Sequence, residues 1–156
     1  MGSRNVSGQS LQLTGNNEHE LVLRLVRRLS AKAGSAKVPA YDFDIVIQEL
    51  DAAVGTIVLR VGVHEDLLLF NGHIGYFVNA DCRGHGFAER AVRLLLPFAA
   101  RLGMEYVIIT CNPDNIPSRR TCEKLGCELL EIVDIPPDHD LYGIGETKKC
   151  RFLLNL

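Results

Sequence analysis

The sequence predicts an α/β (α+β) domain with a mixed sheet of about six or seven strands and three or four flanking helices. Three observations carry this. Residues 41–50 and 56–62 alternate β-branched or aromatic side chains with polar ones, as half-buried strands do. The run Ile74-Gly75-Tyr76-Phe77-Val78 leads almost at once into a glycine-rich turn, Arg83-Gly84-His85-Gly86. Beyond that turn the apolar residues Ala88, Val92, Leu95, Ala99 and Leu102 recur at steps of three and four, the spacing of a helix with one buried face.

In chain order, residues 1–10 are expected to be a flexible N-terminus, with Met1-Gly2-Ser3 open to being an expression remnant, and 11–156 a single domain. Leu11 and Leu13 read as a short strand. Asn16 or Asn17 would then cap a helix carrying Leu21, Leu25, Val26 and Leu29 and ending before Gly34. The small and polar run from Ala31 to Ala40 reads as an internal loop. The strands at 41–50 and 56–62 form a hairpin around a turn from Asp51 to Gly55, and Asn71-Gly72 turns the chain into the strand at Ile74. In the following helix Pro97 removes the hydrogen bond to the carbonyl of Arg93, yet the apolar phase continues, so a single kinked helix ending at Gly103 is expected. Met104 to Cys111 is an apolar strand, Asp114 or Asn115 caps a short helix closed by Gly126, and strands near 127–134 and 146–154 complete the sheet.

Composition narrows the function classes. The 156 residues are 47% apolar, enough to bury the core of one domain. Seventeen basic and 19 acidic residues are interspersed and give a net charge of −2, so no basic stripe points to nucleic acid. Cys82, Cys111, Cys122, Cys127 and Cys150 are odd in number and contain no CxxC pair, which suits reduced thiols in a cytoplasmic protein. With the five histidines they lack metal-ligand spacing, and the apolar runs are strand-sized, so neither a metal nor a membrane partner is expected.

The glycine turn carries the chemistry. A strand that ends in such a turn and continues as a helix leaves the first helical N–H groups unpaired, with the positive end of the helix dipole behind them, and this arrangement binds phosphate. Gly84 and Gly86 leave the approach open, Ala88 is small, and Arg83 can add a charge-assisted contact. A dinucleotide fingerprint would need glycine where Glu89 stands, and a nucleotide P-loop would need a Lys followed by Ser or Thr. A plain tight turn at a helix start competes on the turn alone.

Two motifs in order shift that balance. Arg83-x-x-Gly86-x-Ala88 between a strand and a long helix resembles the pyrophosphate motif of the GCN5-related N-acetyltransferase (GNAT) superfamily, in the manner of its small bacterial-type members. Asn115-x-x-Ser118 followed by Glu123-Lys124-Leu125-Gly126 resembles the next motif of that superfamily. The resemblance covers the chain from about residue 11 onward. It implies a mostly antiparallel twisted sheet in which the strand before the turn splays from its neighbour, and acetyl-CoA as co-substrate. The cofactor's peptide-like arm would pair with the exposed backbone of Tyr76, Phe77 and Val78. Its diphosphate would meet Arg83, Gly84, His85, Gly86, Phe87, Ala88 and Glu89, and Asn115 and Ser118 would complete the cofactor site.

The resemblance also implies a tyrosine seven residues after the asparagine, as the acid that protonates the departing thiolate. Cys122 stands there. An unperturbed thiol titrates near ~8.5, so it can donate a proton in principle, while a helical Cys among apolar neighbours is also an ordinary core residue. His73 lies near a strand position that bears the base in some relatives, but alternation turns it away. His139, between Asp138 and Asp140 and near Tyr142, lies on the loop that borders the acceptor site in the superfamily. His139 and Tyr142 are therefore the remaining catalytic candidates, and solvated loop surface is the competing reading. Arg119 and Arg120 have the phosphates or plain helix surface as alternatives.

The function implied is N-acetyl transfer from acetyl-CoA to a primary amine, of a small molecule or a peptide, by direct attack in a ternary complex. Acidic residues 128, 131, 134, 138 and 140 would suit a cationic acceptor. A homodimer stays open. A catalytically silent acyl-CoA-binding module is the second reading, and a nucleotide-binding protein the third.

Overall fold

The computed structural model describes residues 19–31 and 37–156. The expected strand at Leu11–Leu13, the caps at Asn16 or Asn17, and the helix end at Gly34 lie outside these residues. Among the described residues one sheet contains β1 (Leu21–Leu29), β2 (Ala40–Ile47), β3 (Ala52–Arg60), β4 (Ile74–Val78), β5 (Tyr106–Cys111), β6 (Glu128–Asp134) and β7 (Lys148–Asn155). Their spatial order is β1-β2-β3-β4-β5-β7-β6. Every neighbouring pair is antiparallel except β4 and β5, so the mixed, mostly antiparallel sheet is as expected. Helices α1 (Phe87–Arg101), α2 (Ile116–Lys124) and α3 (Asp140–Gly143) complete the frame.

The segment expected to be a helix through Leu21 and Leu29 is strand β1. Its leucines satisfy both periods, and pairing decides between them. Arg27 lies opposite Asp42 on β2, with 2.5 Å between charged groups, and the Arg28 guanidinium lies 5.6 Å from the ring centroid of its partner Tyr41. Leu21 is buried, whereas Leu25 and Val26 on the supposed helical stripe are exposed.

The hairpin between β2 and β3 also turns earlier than expected. Asp51 takes the left-handed conformation, φ 46°, and β3 starts at Ala52, so Gly55 lies inside the strand. Val54 is the extra residue of a bulge there. A Cβ on Gly55 would lie 2.1 Å from the carbonyl oxygen of Phe77, so only glycine allows β3 and β4 to approach this closely.

Helix α1 buries Phe87, Ala91, Val92, Leu95 and Ala99 against the sheet, and Phe98 receives the edges of Tyr41 and Phe43 at 5.0 and 5.7 Å. It runs unbroken through Pro97. Proline and Arg93 are both exposed, so water reaches the carbonyl that the missing N–H leaves unpaired. Leu102, expected on the buried face, is 38% exposed because the helix ends before it. Helix α3 and the π-type turn Leu67–Asn71 carry no strong apolar period and were not foreseen.

The parallel pair β4/β5 is joined at one register position, Ile74 opposite Ile109. Just before it, His73 acts as a clasp. Its N–H donates to the Ile108 carbonyl at 2.7 Å, and the Ile108 N–H donates to His73 Nδ1 at 2.8 Å. Nε2 therefore carries the ring proton and donates to the Gly62 carbonyl at 2.9 Å. His73 is only 2% exposed, and burial holds its pKa below the ordinary value. Gly72, φ 72°, brings the chain against β5, where a Cβ would lie 3.0 Å from the Ile108 oxygen.

The neutral imidazole makes stability depend on pH. The fold disfavours the charged form, so its contribution is complete above the ordinary histidine pKa of about 6.5 and is lost as pH falls toward the depressed folded value. Urea unfolding at pH 7.5 and 5.5 should show lower stability at the acid pH. His73→Ala should cost about 2–4 kcal/mol at pH 7.5, because it leaves a buried N–H and a buried carbonyl unpaired, and should weaken the acid loss.

Candidate active site

Beyond the clasp, β4 and β5 diverge and open a cleft of about 680 Å³. Its first wall is the free side of β4. Antiparallel alternation assigns the His73 carbonyl and the backbone groups of Gly75, Phe77 and Asn79 to β3, as shown by Arg60 N–H to the His73 carbonyl and Asn79 N–H to the Val54 carbonyl. Those of Tyr76 and Val78 then face the opening. Arg83 Nε donates to the Val78 carbonyl at 2.9 Å, and its guanidinium lies 5.4 Å from the Phe77 ring centroid, so this arginine is fixed at the mouth.

The second wall is the glycine turn. Gly84 and Gly86 take φ of 85° and 71°, a region L side chains avoid, and a Cβ on either would meet no atom within 4 Å. The glycines are thus required by backbone conformation, and the same bareness leaves the N–H groups accessible. Gly86 precedes α1 without any side-chain cap, so the N–H groups at Phe87 and Ala88 remain available for an anion. Arg83, Arg120 and Lys124 add positive charge around the cleft.

The third wall is α2. Asn115 Oδ1 accepts from the Ser118 N–H at 3.2 Å, which satisfies a helix-start donor, and Pro117 fits the first turn. The Tyr76 hydroxyl lies 2.8 Å from Ser118 Oγ. Burial pushes the Tyr76 phenol up to about 12, against the opposing pull of the serine hydrogen bond. Opposite, Cys111 lines the cleft with its thiol pushed up to about 11 by burial.

Of the residues the sequence assigns to the cofactor, Tyr76, Phe77, Val78, Arg83, Gly84, Gly86, Phe87, Ala88, Asn115 and Ser118 meet in this one cleft. His85 and Glu89 stand apart from its lining. His85 lies against Phe87, ring centroids 5.7 Å apart, and Glu89 pairs with Arg93 at 3.0 Å. Arg119 donates to the Pro113 carbonyl at 3.1 Å and serves the loop before α2.

The three catalytic candidates also lie away from the lining. Cys122 is fully buried, and the neighbouring Cys127 thiol together with burial raises its pKa far above the ordinary thiol range. His139 caps α3, with Nδ1 accepting from the Leu141 N–H at 3.1 Å and Nε2 2.5 Å from Asp66 Oδ1. Tyr142 is exposed on α3. The cleft instead holds Asn112, Glu146 and Lys149, which sequence reasoning missed. Lys149 Nζ lies 2.6 Å from Glu146 Oε2, on side chains 11% and 23% exposed. The only sequence signal is opposite charges three apart at the start of the last strand, and surface turns carry the same pattern.

The fold is thus a mostly antiparallel sheet with one splayed parallel pair, and an uncapped glycine turn faces the splay. The acetyltransferase (GNAT) domain family model matches residues 14–128, and the chain belongs to that family. Over 88 residues it is 28% identical to YnaD of Bacillus subtilis (strain 168), described as an uncharacterized N-acetyltransferase; the match covers 56% of this chain and 49% of that protein. The chain thus spans about half the length of this curated relative. Among solved structures, a GNAT-family acetyltransferase from Bacillus anthracis is similar with a TM-score of 0.60 and 23% identity, covering 73% of this chain and 65% of that one. The microcin C7 self-immunity acetyltransferase MccE, solved with acetyl-CoA and AMP, has a TM-score of 0.59 and 19% identity, covering 75% and 61%. At these identities the likeness is one of fold. Among the described residues no helix is long and apolar enough to cross a membrane, and no group of three or more His, Cys, Asp or Glu could hold a metal ion.

Gly86→Ala introduces left-handed strain of about 1–2 kcal/mol without any clash. Titration calorimetry should show coenzyme A binding weakened about tenfold if relief of that strain rearranges the turn. Gly143→Ala, at a glycine of ordinary φ in open space, should leave binding unchanged.

Proposed function

We propose that this protein is an acyl-CoA-dependent N-acetyltransferase that moves an acetyl group from acetyl-CoA to a primary amine, of a small molecule or a peptide, by direct attack in a ternary complex. The observation that carries this reading is the joining of a free strand edge and a bare helix start in one cleft. Acetyl-CoA needs both. Its amide-containing arm pairs with an extended backbone, at Tyr76 and Val78, and its diphosphate takes the N–H groups between Gly84 and Ala88. The buried and orphaned Asn112 oxygen at the far end of the cleft is a further sign of a site built for a polar guest.

The Tyr76 N–H faces the gap and suits the thioester oxygen, which becomes an oxyanion as the amine attacks. The amine nitrogen bonds to the carbonyl carbon, the C–S bond breaks, and the thiolate takes a proton. The Tyr76 and Ser118 hydroxyls are the donors in the cleft that suit this last step, since the phenol stays protonated across the physiological range. Buried free thiols such as Cys111 and Cys150 fit work in a reducing cytoplasm.

Coenzyme A binding by calorimetry and thiol release over a broad amine panel test the reading. Binding together with release for at least one amine is expected. Binding with no release for any amine would establish the silent acyl-CoA-binding module instead. Tyr76→Phe should lower kcat by roughly 100-fold while coenzyme A affinity stays within about twofold. Cys122→Ala should leave turnover unchanged and cost about 1–2 kcal/mol of stability in urea unfolding.

A further inference from the structure

Asn112, Glu146 and Lys149 line the cleft beside the residues assigned above to the cofactor. Asn112 follows the last residue of β5, and Lys149 precedes Cys150, the strand partner of Cys111. Alternation puts Asn112 and Lys149 on the face opposite Cys111 and Cys150, whose thiols interact with Ser118 and Cys122 of α2. The three residues therefore approach the strand gap from the side away from α2. An ion pair this buried is costly to desolvate unless its remaining hydrogen-bonding sites are filled. They are not filled here. Glu146 Oε2 and Asn112 Oδ1 are buried without a hydrogen-bond partner, and the 2.6 Å approach of Lys149 Nζ supplies charge without hydrogen-bond alignment. Both atoms are acceptors, so a guest that fits them offers at least two donor hydrogens.

We propose that Glu146 and Asn112 form the subsite that receives the acceptor as a primary ammonium ion, with Glu146 as its proton acceptor. This rests on the acyltransferase reading above. Two N–H groups of the ammonium bond Glu146 Oε2 and Asn112 Oδ1. One proton then passes from nitrogen to the Glu146 carboxylate, which frees the lone pair for the thioester carbon. A second proton leaves the nitrogen as the amide forms, and the departing thiolate is protonated to coenzyme A. Lys149 is a positioning residue that holds the Glu146 carboxylate at the gap. Glu146 afterwards returns its proton to solvent, so the net reaction is ammonium plus acetyl-CoA to amide, coenzyme A and one proton.

The test uses the full chain saturated with coenzyme A, and n-butylammonium as probe in saturation-transfer NMR, beside kinetics with the best amine of the panel. The wild type should show transfer to n-butylammonium and none to n-butanol. Glu146→Gln should abolish that transfer and lower kcat/KM at least 100-fold with coenzyme A binding intact. Glu146→Gln/Lys149→Met, which removes both charges and leaves no lone buried cation, should behave alike and covers a misfolded single variant. Lys149→Met alone should lower kcat/KM for the amine by about tenfold with coenzyme A binding intact, and Lys149→Arg, which keeps the charge, should restore it, a rescue that a packing role would not produce. Asn112→Ala should raise KM for the amine more than it lowers kcat. Full kcat/KM in either Glu146 variant, or no probe signal in the wild type, overturns the proposal. If the probe binds through Glu146 but no amine is acetylated, the ammonium subsite stands and the acyltransferase reading fails.

Discussion

The architecture turns on a sheet that is held together at one point and open just beyond it. Ile74 and Ile109 make the single parallel contact between two strands that otherwise belong to separate antiparallel halves, β1 to β4 and β5 to β7. Parallel pairing at one position is a weak joint. His73 strengthens it with a ring that accepts from one buried N–H and donates to one buried carbonyl, on a backbone that bonds β3 and β5 together. Because that joint ends so abruptly, the backbone of Tyr76 and Val78 is left without a strand partner inside the protein. An edge in the middle of a sheet would invite aggregation if it faced open solvent. Here α1 and α2 flank it, so only an extended guest of the right width can use it.

The same geometry gives one cleft two chemically different sides. The glycine turn and α2 lie toward one face of the gap, with positive charge and bare N–H groups suited to a diphosphate. Glu146, Asn112 and Lys149 lie toward the other, with unfilled acceptors. On the ternary-complex reading proposed above, two ligands of opposite charge enter from these two sides and meet at the gap. Strand alternation supplies the division, since Cys111 and Asn112 are adjacent in sequence and face opposite ways.

How much of this was legible in the sequence depends on the range of the interaction. The glycine turn, β4, α1 and the Asn115 cap are local: each follows from backbone conformation or period within a few residues, and each stands where the sequence puts it. Strand β1 was misread because its leucines fit two periods, and its pairing with Asp42 and Tyr41 is a long-range fact. The turn before β3 was displaced because Gly55 looked like a turn glycine, while its true constraint is the Phe77 carbonyl on another strand. Cys122 occupied the motif position of an acid, and only tertiary packing reveals that its thiol is sealed against Cys127. Glu146 and Lys149 were invisible for the converse reason, since nothing in a Glu-x-x-Lys pattern foretells burial.

The cysteines carry a practical consequence. Four of the five are buried, and Cys127 is only partly accessible. Cys122 and Cys150 are fully buried among the cysteines that gather beneath α2, so a thiol reagent does not reach these two while that helix stays seated. Their labelling rate is then a clock for the lifting of α2 from the sheet. A chromogenic thiol reagent would thus follow the slow breathing of the domain by absorbance alone.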